Sequence, residues 1–131
     1  MAWAQNFSVC IALVCVISAQ EALAQEAKLD VQELYTQCKQ PANSQAQIFC
    51  LGFISGIADL MQLNGQRQKS LDAAQWSVIA GTAFCAQSSY GAYVQVFVNW
   101  AQKHPEEWGE RNFVGTVVAL REAWPCPQNS N

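Results

Sequence analysis

The side chains able to do chemistry in this chain are few: six cysteines, one histidine and ten acids among 131 residues. A serine or cysteine hydrolase needs a base beside its nucleophile, and His104 is the only imidazole present. It precedes Pro105 at a helix junction, where an imidazole serves to satisfy the carbonyl end of the preceding helix. Glu106 and Glu107 are a paired-carboxylate site in appearance only, because consecutive helix residues point about 100° apart. They complement the positive end of a helix instead. Zinc would need a ligand set at the right spacing, yet no C-x-x-C pair occurs and His104 stands at no ligand spacing from any cysteine. The expectation is a protein that is not an enzyme and that carries no metal and no cofactor. Cys38, Cys50, Cys85 and Cys126 are left for one use, an even set of disulfides in an oxidising compartment.

That compartment is indicated by the first residues. An apolar stretch from Phe7 to Ala19 is long enough for a signal sequence and too short to span a bilayer. Ala22-Leu23-Ala24 supplies the small-x-small pattern for cleavage, so residues 1–24 read as a signal peptide and 25–131 as a single helical domain in the periplasm. No Lys or Arg precedes the apolar stretch, so its positive end rests on the terminal amine. Cys10 and Cys15 each follow a valine inside that stretch, which excludes lipid attachment there, and they leave with the signal. Removing Glu21 with the signal leaves nine acids against seven bases. The bases, Lys28, Lys39, Arg67, Lys69, Lys103, Arg111 and Arg121, are scattered, so no run exists to neutralise nucleic-acid phosphates. A second run of about 18 charge-free apolar residues is also missing, which predicts a mature chain without a membrane span.

Four main helices are expected to position the cysteines. Asp30 with Glu33 forms a capping box for a first helix reaching about Lys39, and Pro41 forbids its continuation. Asn43 or Ser44 caps a second helix, whose apolar residues from Ile48 to Leu63 surround the whole axis and predict a centrally buried rod. Gly52, Ser55, Gly56 and Ala58 would let neighbouring helices approach it, and Gly65 would end it. Asp59, the only charge on that rod, is expected as a buried carboxylate bound to backbone amides or a tyrosine. The stretch from Gln66 to Ala83 offers Ser70 as the cap of a short helix, against Val78 and Ile79, which favour extended chain. Ser88 or Ser89 caps a third helix ending at His104. A fourth is expected to start at Pro105 and to bury Phe113, Val117, Leu120 and Trp124. Most of Trp76, Trp100, Trp108 and Trp124 should be core. Short connections favour antiparallel neighbours, which puts Cys38 and Cys50 at one end and Cys85 and Cys126 at the other. The all-α bundle should therefore be stapled as Cys38–Cys50 and Cys85–Cys126.

Several of these residues stand in a recognisable order. Leu34-Tyr35 precedes Cys38. Phe49-Cys50-Leu51-Gly52-Phe53-Ile54-Ser55-Gly56-Ile57-Ala58-Asp59 follows, then His104-Pro105-Glu106, then Ala119-Leu120-Arg121-Glu122-Ala123-Trp124-Pro125-Cys126. Together they resemble the Rap/Tai immunity family, small exported helical proteins of Gram-negative bacteria. Its founding members protect a cell from type VI secreted amidases that cut peptidoglycan peptides. The resemblance spans about Leu34 to Cys126 and implies a binding module, often a homodimer, that occludes the active-site cleft of a cysteine-dependent peptidoglycan amidase. Gln87 stands where the family commonly has proline, and the stretch from Gln66 to Phe84 is longer than usual. The polar loop Gln66, Arg67, Gln68, Lys69 is the expected effector contact, with Gly52, Gly56 and Asp59 as structural motif. The rival reading is a periplasmic chaperone-like or envelope-associated helical domain.

Overall fold

The computed structural model describes residues 29–127, and the expected signal peptide, with Cys10 and Cys15, lies outside them. Among the described residues five α-helices form: α1 (Val31–Cys38), α2 (Gln45–Gln66), α3 (Ala73–Ile79), α4 (Tyr90–Lys103) and α5 (Asn112–Ala123). Single turns of 3-10 helix cover Arg67–Ser70, Ala80–Thr82 and Pro105–Glu107. No strand forms among the described residues, where an isolated bridge joins Asp30 to Arg111.

The caps follow from side-chain acceptors facing free amides. Asp30 accepts from the Glu33 amide at 2.8 Å, Ser44 from that of Gln47 at 3.2 Å and Ser89 from that of Ala92 at 3.2 Å. Asn43, just ahead of Ser44, takes a left-handed φ of 69°, which an asparagine tolerates and which turns the chain from α1 into α2. For α3 the cap is Asp72, in a reciprocal box with Gln75, where the sequence pointed to Ser70.

The core is built where α1, α2, α4 and α5 meet, from Leu34, Ile54, Met61, Phe97 and Leu120. Phe84 and Tyr93, also fully buried, stack edge to face at 5.5 Å, and both rings reach Trp124. Two disulfides clasp the bundle, Cys38–Cys50 and Cys85–Cys126, the pairing that helix order predicts. Cys50 lies in the first turns of α2 and Cys85 packs against Gly65 near its end, so the clasps are about 22 Å apart along the helix.

Three expectations are corrected. Helix α2 is not buried all round: Ile48, Phe49, Leu60 and Leu63 are exposed, and a Cβ added at Gly52 or Gly56 would meet nothing within 4 Å. Those glycines therefore admit no helix of this chain. Gly65 does not end α2; it is buried inside the last turn with an ordinary helical φ, because the carbonyl of Phe84 crosses directly over it. The final helix begins at Asn112, and Pro105–Glu107 forms only one 3-10 turn. The carbonyls of Trp108 and Glu110 instead receive the Gln32 and Val31 amides at the open end of α1. Phe113 is consequently exposed, whereas Val117 and Leu120 are buried.

Candidate functional site

The C-terminal end of α2 gathers the non-helical parts of the chain. Three amide side chains there hold backbone that no helix or sheet satisfies. Gln62 donates to the Ala86 carbonyl at 3.1 Å and to the Tyr93 hydroxyl, and that hydroxyl in turn accepts from the Ser88 amide at 2.9 Å. Asn64 donates to the carbonyl and hydroxyl of Thr82 at 3.2 and 3.1 Å. Gln68 donates to the Pro127 carbonyl at 2.7 Å, while the Cys85 amide donates to the Trp124 carbonyl. The tail after α5 is thus tied to the Cys85 segment by a disulfide and a backbone hydrogen bond, and to the turn that follows α2 by Gln68.

Two concavities flank this end. One, of about 230 Å³, is lined by Gln62, Gln66, Phe84 and Gln87. The other, of about 300 Å³, lies between Leu71 and Ile79 with Arg67 at its rim. The expected contact loop is therefore a helix end followed by a 3-10 turn, with Gln66, Arg67 and Lys69 exposed on it. Gln68 departs from expectation: it is buried, because its amide anchors the tail. Ser70 closes the turn by donating to the Arg67 carbonyl. Arg67 and Lys69 place two positive charges together in a chain of net charge −3.

Asp59 is exposed rather than buried, and the Tyr90 hydroxyl faces both its oxygens at 3.4 Å. It shares the outer face of α2 with Gly52 and Gly56. The signal for that face was in the sequence, since Ile48, Gly52, Gly56 and Leu60 recur every four residues. Trp100 is buried with its indole nitrogen on Glu122, Trp108 is half-buried and donates to the Ala101 carbonyl, and Trp124 is half-buried. The Trp76 side chain lies outside the described residues.

His104 caps α4 through its backbone amide, which donates to the Trp100 carbonyl. Its ring stacks on Trp100 at 5.0 Å and its Nδ1 meets Glu106 Oε1 at 2.9 Å, so the imidazole serves Glu106 and not the helix carbonyls. The Glu106 carboxyl is held below its ordinary value of 4.5, first by a hydrogen bond from its own backbone amide, then by that from His104 and by the attraction of the imidazolium. A lowered carboxyl stabilises the fold above its unfolded pKa, and that contribution disappears as the pH falls through the folded value. A carboxyl-carbon NMR titration should place the Glu106 midpoint below 4.5, and His104→Ala should return it only part of the way, because the backbone contribution is the larger. A midpoint at 4.5 in the parent chain would refute this assignment.

Among the described residues no group of three or more His, Cys, Asp or Glu is placed to hold a metal ion. Two clasps, two shallow concavities beside a basic turn, and an uncovered apolar stripe along α2 characterise a small disulfide-stapled helical domain. The family model of the Rap1a immunity proteins matches residues 30–126, and the chain belongs to that family. No curated protein and no solved structure matches the chain. Membership gives an immunity-protein role, which implies binding to an effector, and agrees with a secreted or periplasmic location.

Proposed function

We propose that the mature chain is a periplasmic immunity protein that neutralises a peptidoglycan amidase of a type VI secretion system by occluding its active site. The observation that carries this reading is the family match over residues 30–126. Two disulfides suit an oxidising compartment and agree with removal of residues 1–24 on export. The contact is assigned to Gln66, Arg67 and Lys69, a polar knob whose cations are free to meet the carboxylates of a partner. Gln68 takes part from below, by fixing the turn to the tail.

Calorimetric titration against purified candidate peptidoglycan amidases, together with an assay of peptidoglycan hydrolysis, tests the proposal. The parent chain should form a complex and stop hydrolysis. Arg67→Glu with Lys69→Glu should weaken the complex at least about tenfold without lowering the thermal midpoint, as expected for exposed charges facing a partner. Gln68→Ala should behave oppositely, destabilising the chain by about 1 to 2 kcal/mol through the lost tie to the tail. Neither complex nor inhibition with the parent chain would defeat the proposal.

A further inference from the structure

Resting on the immunity reading, we propose that the concavity between Leu71 and Ile79 receives one apolar side chain of the effector, set beside a carboxylate that the Arg67 guanidinium binds. Arg67, Leu71, Gln75 and Ile79 recur every four residues and line one opening of about 300 Å³. They belong to three different pieces of backbone: a 3-10 turn, a single extended residue and the short helix α3.

The backbone makes the opening. The 3-10 turn stops at Ser70, and Leu71 is extended, with φ −107° and ψ 143°, which breaks the helical path before α3 begins. Asp72 and Gln75 then lock each other, the Gln75 amide donating to Asp72 Oδ1 at 2.8 Å and the Asp72 amide donating to Gln75 Oε1 at 3.3 Å. This box holds two sides of the opening in place before anything binds, so little ordering opposes docking. It also commits the Asp72 carboxylate, the acid nearest in sequence, to the start of α3.

The chemistry of the occupant follows from the lining. Leu71 and Ile79 are half-buried aliphatic walls, which favour an apolar side chain. The opening has about twice the roughly 150 Å³ in which an engineered apolar cavity holds benzene, so a leucine, methionine or phenylalanine side chain enters without repacking. At the rim Arg67 is exposed and makes no ion pair among the described residues, and the exposed Lys69 lies two residues on. A free guanidinium fork matches a carboxylate in both charge and shape. An apolar anchor seated in a pocket with a charge pair at its edge is the arrangement that concentrates binding energy in protein interfaces. The other concavity offers no such pairing, since it has no charged side chain in its lining and its Gln62 amide is already spent on Ala86 and Tyr93.

Amide NMR titration with N-acetyl-leucine reads the opening without any effector. The parent chain should bind it with a dissociation constant of about 2 mM, the strength that about a dozen heavy atoms supply, with the largest shifts between Arg67 and Ile79. N-acetyl-leucinamide, which lacks the charge, should bind at least about threefold more weakly, and N-acetylglycine, which lacks the side chain, at least about tenfold more weakly. Arg67→Gln should erase the preference for acid over amide, and Leu71→Ser should weaken both about tenfold. Arg67→Gln, a change at an exposed residue, keeps the test decisive should Leu71→Ser loosen α3. In the complex with the amidase, Leu71→Ser should raise the dissociation constant at least about tenfold. A parent chain that ignores N-acetyl-leucine, that binds the three probes alike, or that forms an amidase complex indifferent to Leu71→Ser overturns the inference while the immunity reading stands. A parent chain that binds no amidase defeats the immunity reading and removes the named occupant with it.

Discussion

Guanidinium denaturation of a chain carrying Cys85→Ala and Cys126→Ala is expected to show about 4 kcal/mol less stability than the parent, against about 3 kcal/mol for Cys38→Ala with Cys50→Ala. The difference comes from the unfolded chain. Cys85 and Cys126 close a loop of 41 residues, Cys38 and Cys50 one of 12, and the longer closure removes more freedom from the unfolded ensemble. Either loss is large beside the roughly 5 to 15 kcal/mol that holds a domain of this size. Folding should nonetheless survive the first pair of changes. The Cys85 amide still donates to the Trp124 carbonyl, Gln68 still holds Pro127, and Trp124 still packs on Phe84 and Tyr93. Equal losses from the two pairs, or a reversed order, would show that loop closure does not govern their contribution.

The second large effect separates glycines that look alike in sequence. Gly65→Ala should lower stability by about 3 kcal/mol, because the new methyl drives into the Phe84 carbonyl oxygen, with the Cys85 sulfur also within 3.1 Å. Backbone there is fixed on both sides, by the Phe84 amide donating to Met61 and by the disulfide one residue on, so it has no way to yield. Gly115→Ala meets the Val31 side chain and, at 3.2 Å, the Trp100 ring, and should cost about 2 kcal/mol. Gly52→Ala and Gly56→Ala should instead stabilise the monomer by about 1 kcal/mol each, the ordinary gain for glycine to alanine inside a helix. Thermal or chemical unfolding of the four single variants decides the matter. A Gly65→Ala chain as stable as the parent would mean that the strap over α2 is looser than the structure has it.

Local chemistry explains what could be read in advance. Caps at Asp30, Ser44 and Ser89 are contests between a side chain and its own neighbouring amides, and short-range pattern reports them. The cysteine pairing also followed, since helix order alone separates the two ends of an antiparallel bundle. Sequence and structure part where distant residues decide the outcome. Asn64-Gly65 reads as a helix stop, and only Phe84, nineteen residues on, reveals that the glycine is there for clearance. Pro105-Glu106-Glu107 reads as a helix start, but the carbonyls that a helix through 108–110 would consume are already taken by α1. On α2, apolar residues on every side read as burial on every side, whereas composition is the same for a buried face and for an exposed one. Of the candidate contact, Gln66, Arg67 and Lys69 were legible as exposed polar residues. Gln68 was not, because its acceptor lies 59 residues away.

The open end of α1 carries a consequence for the order in which the chain becomes a protein. Its first amides donate to Glu110 and Trp108, and Leu29 in turn accepts from the Asn112 amide. A polypeptide emerges from its N-terminus, so α1 is delivered among the first elements and completed among the last. Until residue 112 has followed, the helix can be linked to α2 through Cys38 and Cys50, yet its leading turn is capped by Asp30 alone. The local disulfide thus acts as a placeholder, keeping an early helix beside its neighbour while the strand of backbone that will finish it is still on the way.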